Sequence, residues 1–129
     1  MNNLNTYIVE KLKKINSKNI GKQYNYFPQT YEELHELIEK LIKERGDEAD
    51  LNDIDTSKIT DMSNLFSSTN FNGNISNWDV SNVKDMTCMF DSSKFDGDIS
   101  NWNVKNVKHC QFMFYNCPLA NNKEKQPNF

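Results

Sequence analysis

A chain of 129 residues has the length of one domain, large enough to bury a modest continuous core. Hydrophobic residues make up 36% and charged residues 26%, which is polar for a globular protein, yet the 12% of aromatic residues argues against simple disorder. The net charge of −3 divides unevenly, +2 over residues 1–46 and −5 over 47–129, and the acidic majority is a poor match for phosphate backbones, so nucleic acid is excluded as a partner.

From the N-terminus, MNNLNTYIVEKLKKIN holds no apolar run of signal-peptide length, and no stretch of the sequence approaches membrane-spanning length. The expected location is therefore cytoplasmic, without membrane insertion; virion association or surface display is the alternative. Leu4, Tyr7, Ile8, Leu12 and Ile15 recur at helical spacing and predict an amphipathic helix over 4–15. It either packs beside the next helix or docks on a partner, in which case Tyr7, Ile8 and Leu12 are its contact residues. After the polar stretch NSKNIGKQ, Thr30 with Glu33 forms a capping-box pattern. A stripe of Leu34, Leu37, Ile38, Leu41 and Ile42 follows, and Gly46 is a stop signal, so a helix is predicted over 31–45. Residues 1–46 thus read as a helical segment and cap.

Beyond residue 46 the sequence repeats. Setting 71–94 over 95–118 gives an offset of 24 residues with 12 identities; 47–70 over 71–94 keeps six, but the apolar positions persist. Leu51, Ile75 and Ile99 align, as do Ile54, Trp78 and Trp102; Met62, Met86 and Cys110; and Phe66, Phe90 and Phe114. Within a unit, the Trp78–Val80 step predicts a short strand. The spacing of Met86, Met89 and Phe90 predicts one helical turn, and Gly73 and Gly97 are expected to take positive φ at a corner. The predicted fold class is α+β: N-terminal helices capping a short leucine-rich-repeat-like solenoid of about three coils, 47–70, 71–94 and 95–118, with a frayed tail over 119–129.

GNISNWDVSNVKDMTCMF and GDISNWNVKNVKHCQFMF resemble units of the BspA-like leucine-rich-repeat surface-protein family, through the core W-D-V-S-N-V-x-D-M-x-x-M-F over 47–118. The resemblance implies a bacterial, phage or mobile-element origin, a repeat architecture, and adhesion at a cell surface.

Candidate chemistry is sparse. His109, Cys110 and Cys117 do not have zinc-site spacing. The repeat alignment makes Cys110 a small buried hydrophobe and His109 an outward residue, with Cys117 partly exposed near the open end. Neither His35 nor His109 has a nucleophile and carboxylate arranged in sequence to form a triad, so no enzymatic activity, cofactor or metal is expected. The expected function is a non-enzymatic protein-binding module, an intracellular adaptor or inhibitor of a host or virion protein. The alternative is a degenerate member or fragment of a surface adhesin or virion structural protein. The expected contact face is a ladder of Asp53, Asp55, Asn77, Asp79, Asn101 and Asn103, suited to a basic partner. Calcium held between stacked Asp and Asn side chains is a lesser alternative for the same residues. The unfinished unit beginning at Leu119 leaves an end through which two chains can pair as an end-to-end homodimer.

Overall fold

The structure, a computed structural model, describes residues 23–129. The helix expected over 4–15, with Tyr7, Ile8 and Leu12, lies outside the described residues.

Helix α1, Tyr31–Arg45, begins and ends where its caps dictate. The Thr30 hydroxyl accepts from the Glu33 N–H at 3.1 Å, and the Glu33 carboxylate accepts from the Gln29 N–H at 3.0 Å, so two of the orphan donors at the helix start are satisfied. At the other end Gly46 has φ 94° and donates its N–H to the Ile42 carbonyl at 2.7 Å. Leu34, Leu37, Ile38 and Leu41 are buried and join one apolar cluster with residues from all three units. The far end of α1 is tied down by Arg45, which donates to the Asp50 carbonyl and to both carboxylate oxygens of Asp53.

The 24-residue period is present in the backbone. Isolated parallel bridges join Asp50 to Asn74, Asp61 to Asp85, and Asp85 to His109. The N–H groups of Met62, Asn64, Phe66 and Ser68 donate to the carbonyls of Asp85, Thr87, Met89 and Asp91 at 2.8–2.9 Å. One period later, Met86, Cys88, Phe90 and Ser92 donate to His109, Gln111, Met113 and Tyr115 at 2.7–3.0 Å. Side chains follow the same offset. Phe66, Phe90 and Phe114 stack at 5.6 and 6.2 Å, Phe71 on Phe95 at 6.0 Å, and Trp78 on Trp102 at 6.4 Å with planes 3° apart. Each indole N–H donates back to the preceding unit, Trp78 to the Leu51 carbonyl at 2.9 Å and Trp102 to that of Ile75 at 3.1 Å.

The expected fold class is overturned. Among the described residues there is one α-helix, two short 3-10 helices (Pro118–Asn121 and Lys123–Lys125), no named strand and no sheet. An α+β leucine-rich-repeat-like solenoid is therefore not what the chain builds. Local chemistry explains this. Asn74, Asp79 and Asp85 accept through their side chains from the N–H two residues on, at Ser76, Ser81 and Thr87, and so bend the chain every five or six residues before a strand can extend. The Met86–Phe90 stretch is not a helical turn either. Asn64, Cys88 and Phe112 have φ 60°, 56° and 57°, and Ser68, Ser92 and Asn116 have φ 60°, 60° and 54°, so a left-handed residue recurs twice in every period and breaks both helix and strand.

Gly73 and Gly97 are not positive-φ corners; among the described glycines only Gly46 is. Gly73 is needed because the neighbouring unit passes too close for a β-carbon.

Candidate binding surfaces

Most side chains of the expected Asp/Asn ladder are spent on the fold. Asp55 is buried and accepts from the Ser57 N–H at 2.9 Å. Asp79 accepts from the N–H and hydroxyl of Ser81 at 3.0 and 2.6 Å, and Asn103 accepts from the Lys105 N–H at 3.2 Å. These three are successive members of one column of Asx turns. Asp53 instead faces α1, ion-paired with Arg45 at 2.9 Å and accepting from the Asn25 amide at 2.9 Å. Partial burial pushes the Asp53 carboxyl up, but hydrogen bonds from Arg45 and Asn25, with the guanidinium charge, hold it below the usual carboxylate range. Asn77 and Asn101 are exposed, and the Asn77 backbone N–H donates to the Asn52 side chain at 2.9 Å.

His109 is outward, as its place in the repeat suggests, and pairs with Asp85 through the backbone bridge. Hydrogen bonds from the Thr87 hydroxyl and N–H hold the Asp85 carboxyl below its ordinary value, with a smaller contribution from His109. The cysteines reverse the expectation. Cys110 is exposed and Cys117 is buried, its Sγ 3.1 Å from the Phe95 carbonyl and 3.6 Å from the Ser93 hydroxyl. Met62 and Met86 are buried, whereas Cys110, at the same position of the third unit, is exposed. Cys117 is the N-cap of the first 3-10 helix and is buried. No group of three or more His, Cys, Asp and Glu side chains capable of holding a metal occurs among the described residues, and no helix there is long and apolar enough to cross a membrane.

Sequence reasoning marked this C-terminal end only as a place where two chains could pair, and missed its aromatic residues. Among the described residues the large hydrophobics that face solvent are Phe112, Tyr115 and Phe129, 66%, 62% and 58% exposed. With Met113, Ala120 and Lys123 they line an open groove of about 560 Å³ in which Lys123 is the charged side chain. Phe112 and Tyr115 meet edge to face at 6.0 Å. The repeat alignment already carried the signal: Phe112 takes the position of Asn64 and Cys88, and Tyr115 that of Ser67 and Asp91. Two positions without an aromatic residue in the earlier units become aromatic in the last one. Phe112 also keeps the left-handed backbone of its counterparts, a conformation that costs an ordinary L-residue about 1–2 kcal/mol.

The same end presents an unfinished hydrogen-bond row. The N–H groups of Cys110, Phe112, Phe114 and Asn116 stand where their counterparts in the two earlier units donate to a following unit, and they have no acceptor among the described residues.

No curated protein and no solved structure matches the chain. Residues 32–129, which take in nearly all of α1, the three units and the tail, match the family described as Mycoplasma protein of unknown function, DUF285. By that match, over most of its length, the chain belongs to the DUF285 family.

Proposed function

We propose that this chain is a non-enzymatic protein-binding module whose contact surface is its C-terminal end. The observation that carries this reading is the pair Phe112 and Tyr115, aromatic and exposed at positions held by Asn64 and Cys88 and by Ser67 and Asp91 in the other units. Aromatic residues so placed add nothing to the core, whereas exposed Phe and Tyr beside a groove are the residues that anchor protein interfaces. The Asp/Asn ladder is the weaker candidate, because Asp53, Asp55, Asp79 and Asn103 are already engaged within the molecule.

A second reading concerns where the module works. DUF285 is associated with BspA-like surface proteins, and the W-D-V-S-N-V-x-D-M-x-x-M-F units support membership of that group, hence display at a cell surface rather than action as an intracellular adaptor. One experiment addresses both readings. Tagged protein and a Phe112→Asn/Tyr115→Ser variant are incubated with separated cytosolic and envelope fractions of a mycoplasma culture, and retained proteins are quantified. A partner held by the parent and lost by the variant supports the C-terminal surface, and the fraction that yields it selects between adaptor and surface protein. Equal retention by both proteins refutes that surface.

A further inference from the structure

We propose that Asn72–Gly73 is a self-modification site: the pair converts irreversibly to aspartate and isoaspartate when the seam between the first two units opens, and is held unreacted while that seam is closed. An asparagine followed by glycine is chemically labile, because no side chain on the next residue blocks the approach of its backbone nitrogen. Of the four glycines in the sequence, only Gly73 follows an asparagine. In the reaction the Gly73 nitrogen gives up its proton and bonds to the Asn72 Cγ, the Cγ–Nδ2 bond breaks, and ammonia leaves a closed succinimide ring. Water then adds to the ring. Opening at Cγ leaves aspartate, whereas opening at the main-chain carbonyl leaves isoaspartate, with the backbone rerouted through the side chain and lengthened by a carbon.

The closed fold withholds the movements this reaction needs. The Asn72 N–H donates to the Asp47 carbonyl at 2.7 Å and the Asn74 N–H to the Ala49 carbonyl at 2.9 Å, so the backbone on both sides of Gly73 is pinned to the first unit. The Ala49 carbonyl also lies against Gly73, where it leaves no room for a β-carbon. The side chain is held from the opposite direction, its Oδ1 accepting from the Asp96 N–H of the third unit at 2.9 Å. Bringing Cγ onto the Gly73 nitrogen requires the side chain to leave Asp96 and the backbone to leave the first unit. Asn72 is exposed, so water reaches it, and motion is what the closed seam denies. Conversion in the native protein therefore runs at the unfolded rate multiplied by the fraction of molecules whose seam is open.

The two products meet different fates. The third unit carries aspartate at the same position, since Asp96 precedes Gly97, and there the carboxylate accepts from the Asn122 amide at 2.7 Å and faces the Lys125 Nζ at 3.5 Å. An aspartate at position 72 keeps the backbone length and the acceptor for the Asp96 N–H, so those chains close again. Isoaspartate does not allow closure. Its extra main-chain carbon moves Asn74 away from Ala49 and lifts Gly73 out of its contact, at a boundary that also carries the Trp78 indole on the Leu51 carbonyl at 2.9 Å. An opening that reaches the reaction thus becomes permanent in a share of the molecules.

The test follows the full-length protein at neutral pH, native and unfolded in guanidinium chloride, by tryptic mapping that separates the asparagine, aspartate and isoaspartate forms of peptide 59–84. Asn64, Asn70, Asn74, Asn77 and Asn82 lie in the same peptide, each followed by a bulkier residue, and serve as internal controls. The expected result is conversion confined to Asn72, at least about tenfold slower in the native protein than in the unfolded one. It is expected to quicken in native Trp78→Phe, which loses a hydrogen bond across the seam. After the denaturant is removed and the chains are separated, amide exchange at Asn74 is expected to be slow again in aspartate chains and in an Asn72→Asp variant, and fast in isoaspartate chains. Equal conversion rates in native and unfolded protein overturn the proposal, as does conversion at the control asparagines in place of Asn72. Isoaspartate chains that regain slow exchange at Asn74 overturn it as well.

Discussion

The carbonyl oxygen of Ala49 lies 2.0 Å from where a β-carbon on Gly73 would be. That carbonyl accepts from the Asn74 N–H at 2.9 Å, so the close approach is part of the contact that holds the first two units together. Gly97, one period later, is less constrained: its nearest backbone neighbour is the Gly73 carbonyl at 3.3 Å, and the tighter contacts are with the Phe95 ring. Gly73→Ala must push the units apart and is expected to destabilise by about 2–4 kcal/mol, more than Gly97→Ala, in paired urea titrations. Equal midpoints for the two variants would contradict this account of the glycine.

Trp78 combines a stacked ring with a buried hydrogen bond to the preceding unit. Trp78→Phe keeps much of the ring but removes one of two donors to the Leu51 carbonyl, which keeps the Ile54 N–H at 3.2 Å, and is expected to cost about 0.5–1.5 kcal/mol. Trp78→Ala adds a cavity and is expected to cost about 3–5 kcal/mol. Thermal denaturation followed by circular dichroism ranks the pair.

Phe112 provides a test in the opposite direction. Its φ of 57° suits Asn or Gly better than Phe, and its ring is mostly exposed. Phe112→Asn restores the residue found at the equivalent Asn64 and is expected to stabilise by about 0.5–1 kcal/mol while weakening partner binding. A variant that loses stability would mean that the ring supports the fold after all.

The pH dependence follows from carboxylates whose folded values lie below the ordinary 3.8, namely Asp53, Asp85 and Asp98. A depressed folded value means that stability is fully present above the unfolded value and is lost as pH falls through the folded one. The melting temperature is therefore expected to hold from neutral pH to about pH 4 and to fall below it. Asp53→Asn should lose part of that acid slope and, because the Arg45 pair is partly solvated, under about 1 kcal/mol at pH 7. An acid slope unchanged in this variant would show that the Arg45–Asp53 contact contributes nothing.

Thiol accessibility separates the cysteines. Cys110 is exposed, Cys88 is half-exposed with its thiol pushed up by local desolvation and by the Asp91 carboxylate, and Cys117 is buried. Iodoacetamide under native conditions should label Cys110 first, Cys88 more slowly and Cys117 only on unfolding. Mass spectrometry of timed digests gives the order, and early labelling of Cys117 would mean that the segment around it opens readily.

By itself the sequence determined those features that depend on neighbours along the chain or on strict repetition. Thr30, Glu33 and Gly46 bounded α1 because caps act through hydrogen bonds only a few residues long, and the stripe from Leu34 to Leu41 marked its buried face. The 24-residue offset placed Phe66, Phe90 and Phe114 in one column and Trp78 over Trp102, because identical units brought side by side superpose identical side chains. The shape of each unit was decided only in three dimensions. Apolar spacing read as strand and helical turn is equally served by a chain of turns once Asp and Asn side chains capture nearby N–H groups and the left-handed positions at Cys88 and Ser92 release alternate N–H groups toward the next unit. Tertiary structure likewise decided that the Asp/Asn ladder is largely internal bracing, that Arg45 claims Asp53, and that Cys110 is bare while Cys117 is sealed. Those outcomes depend on which residues lie alongside in space, and among the described residues none covers Phe112 or Tyr115.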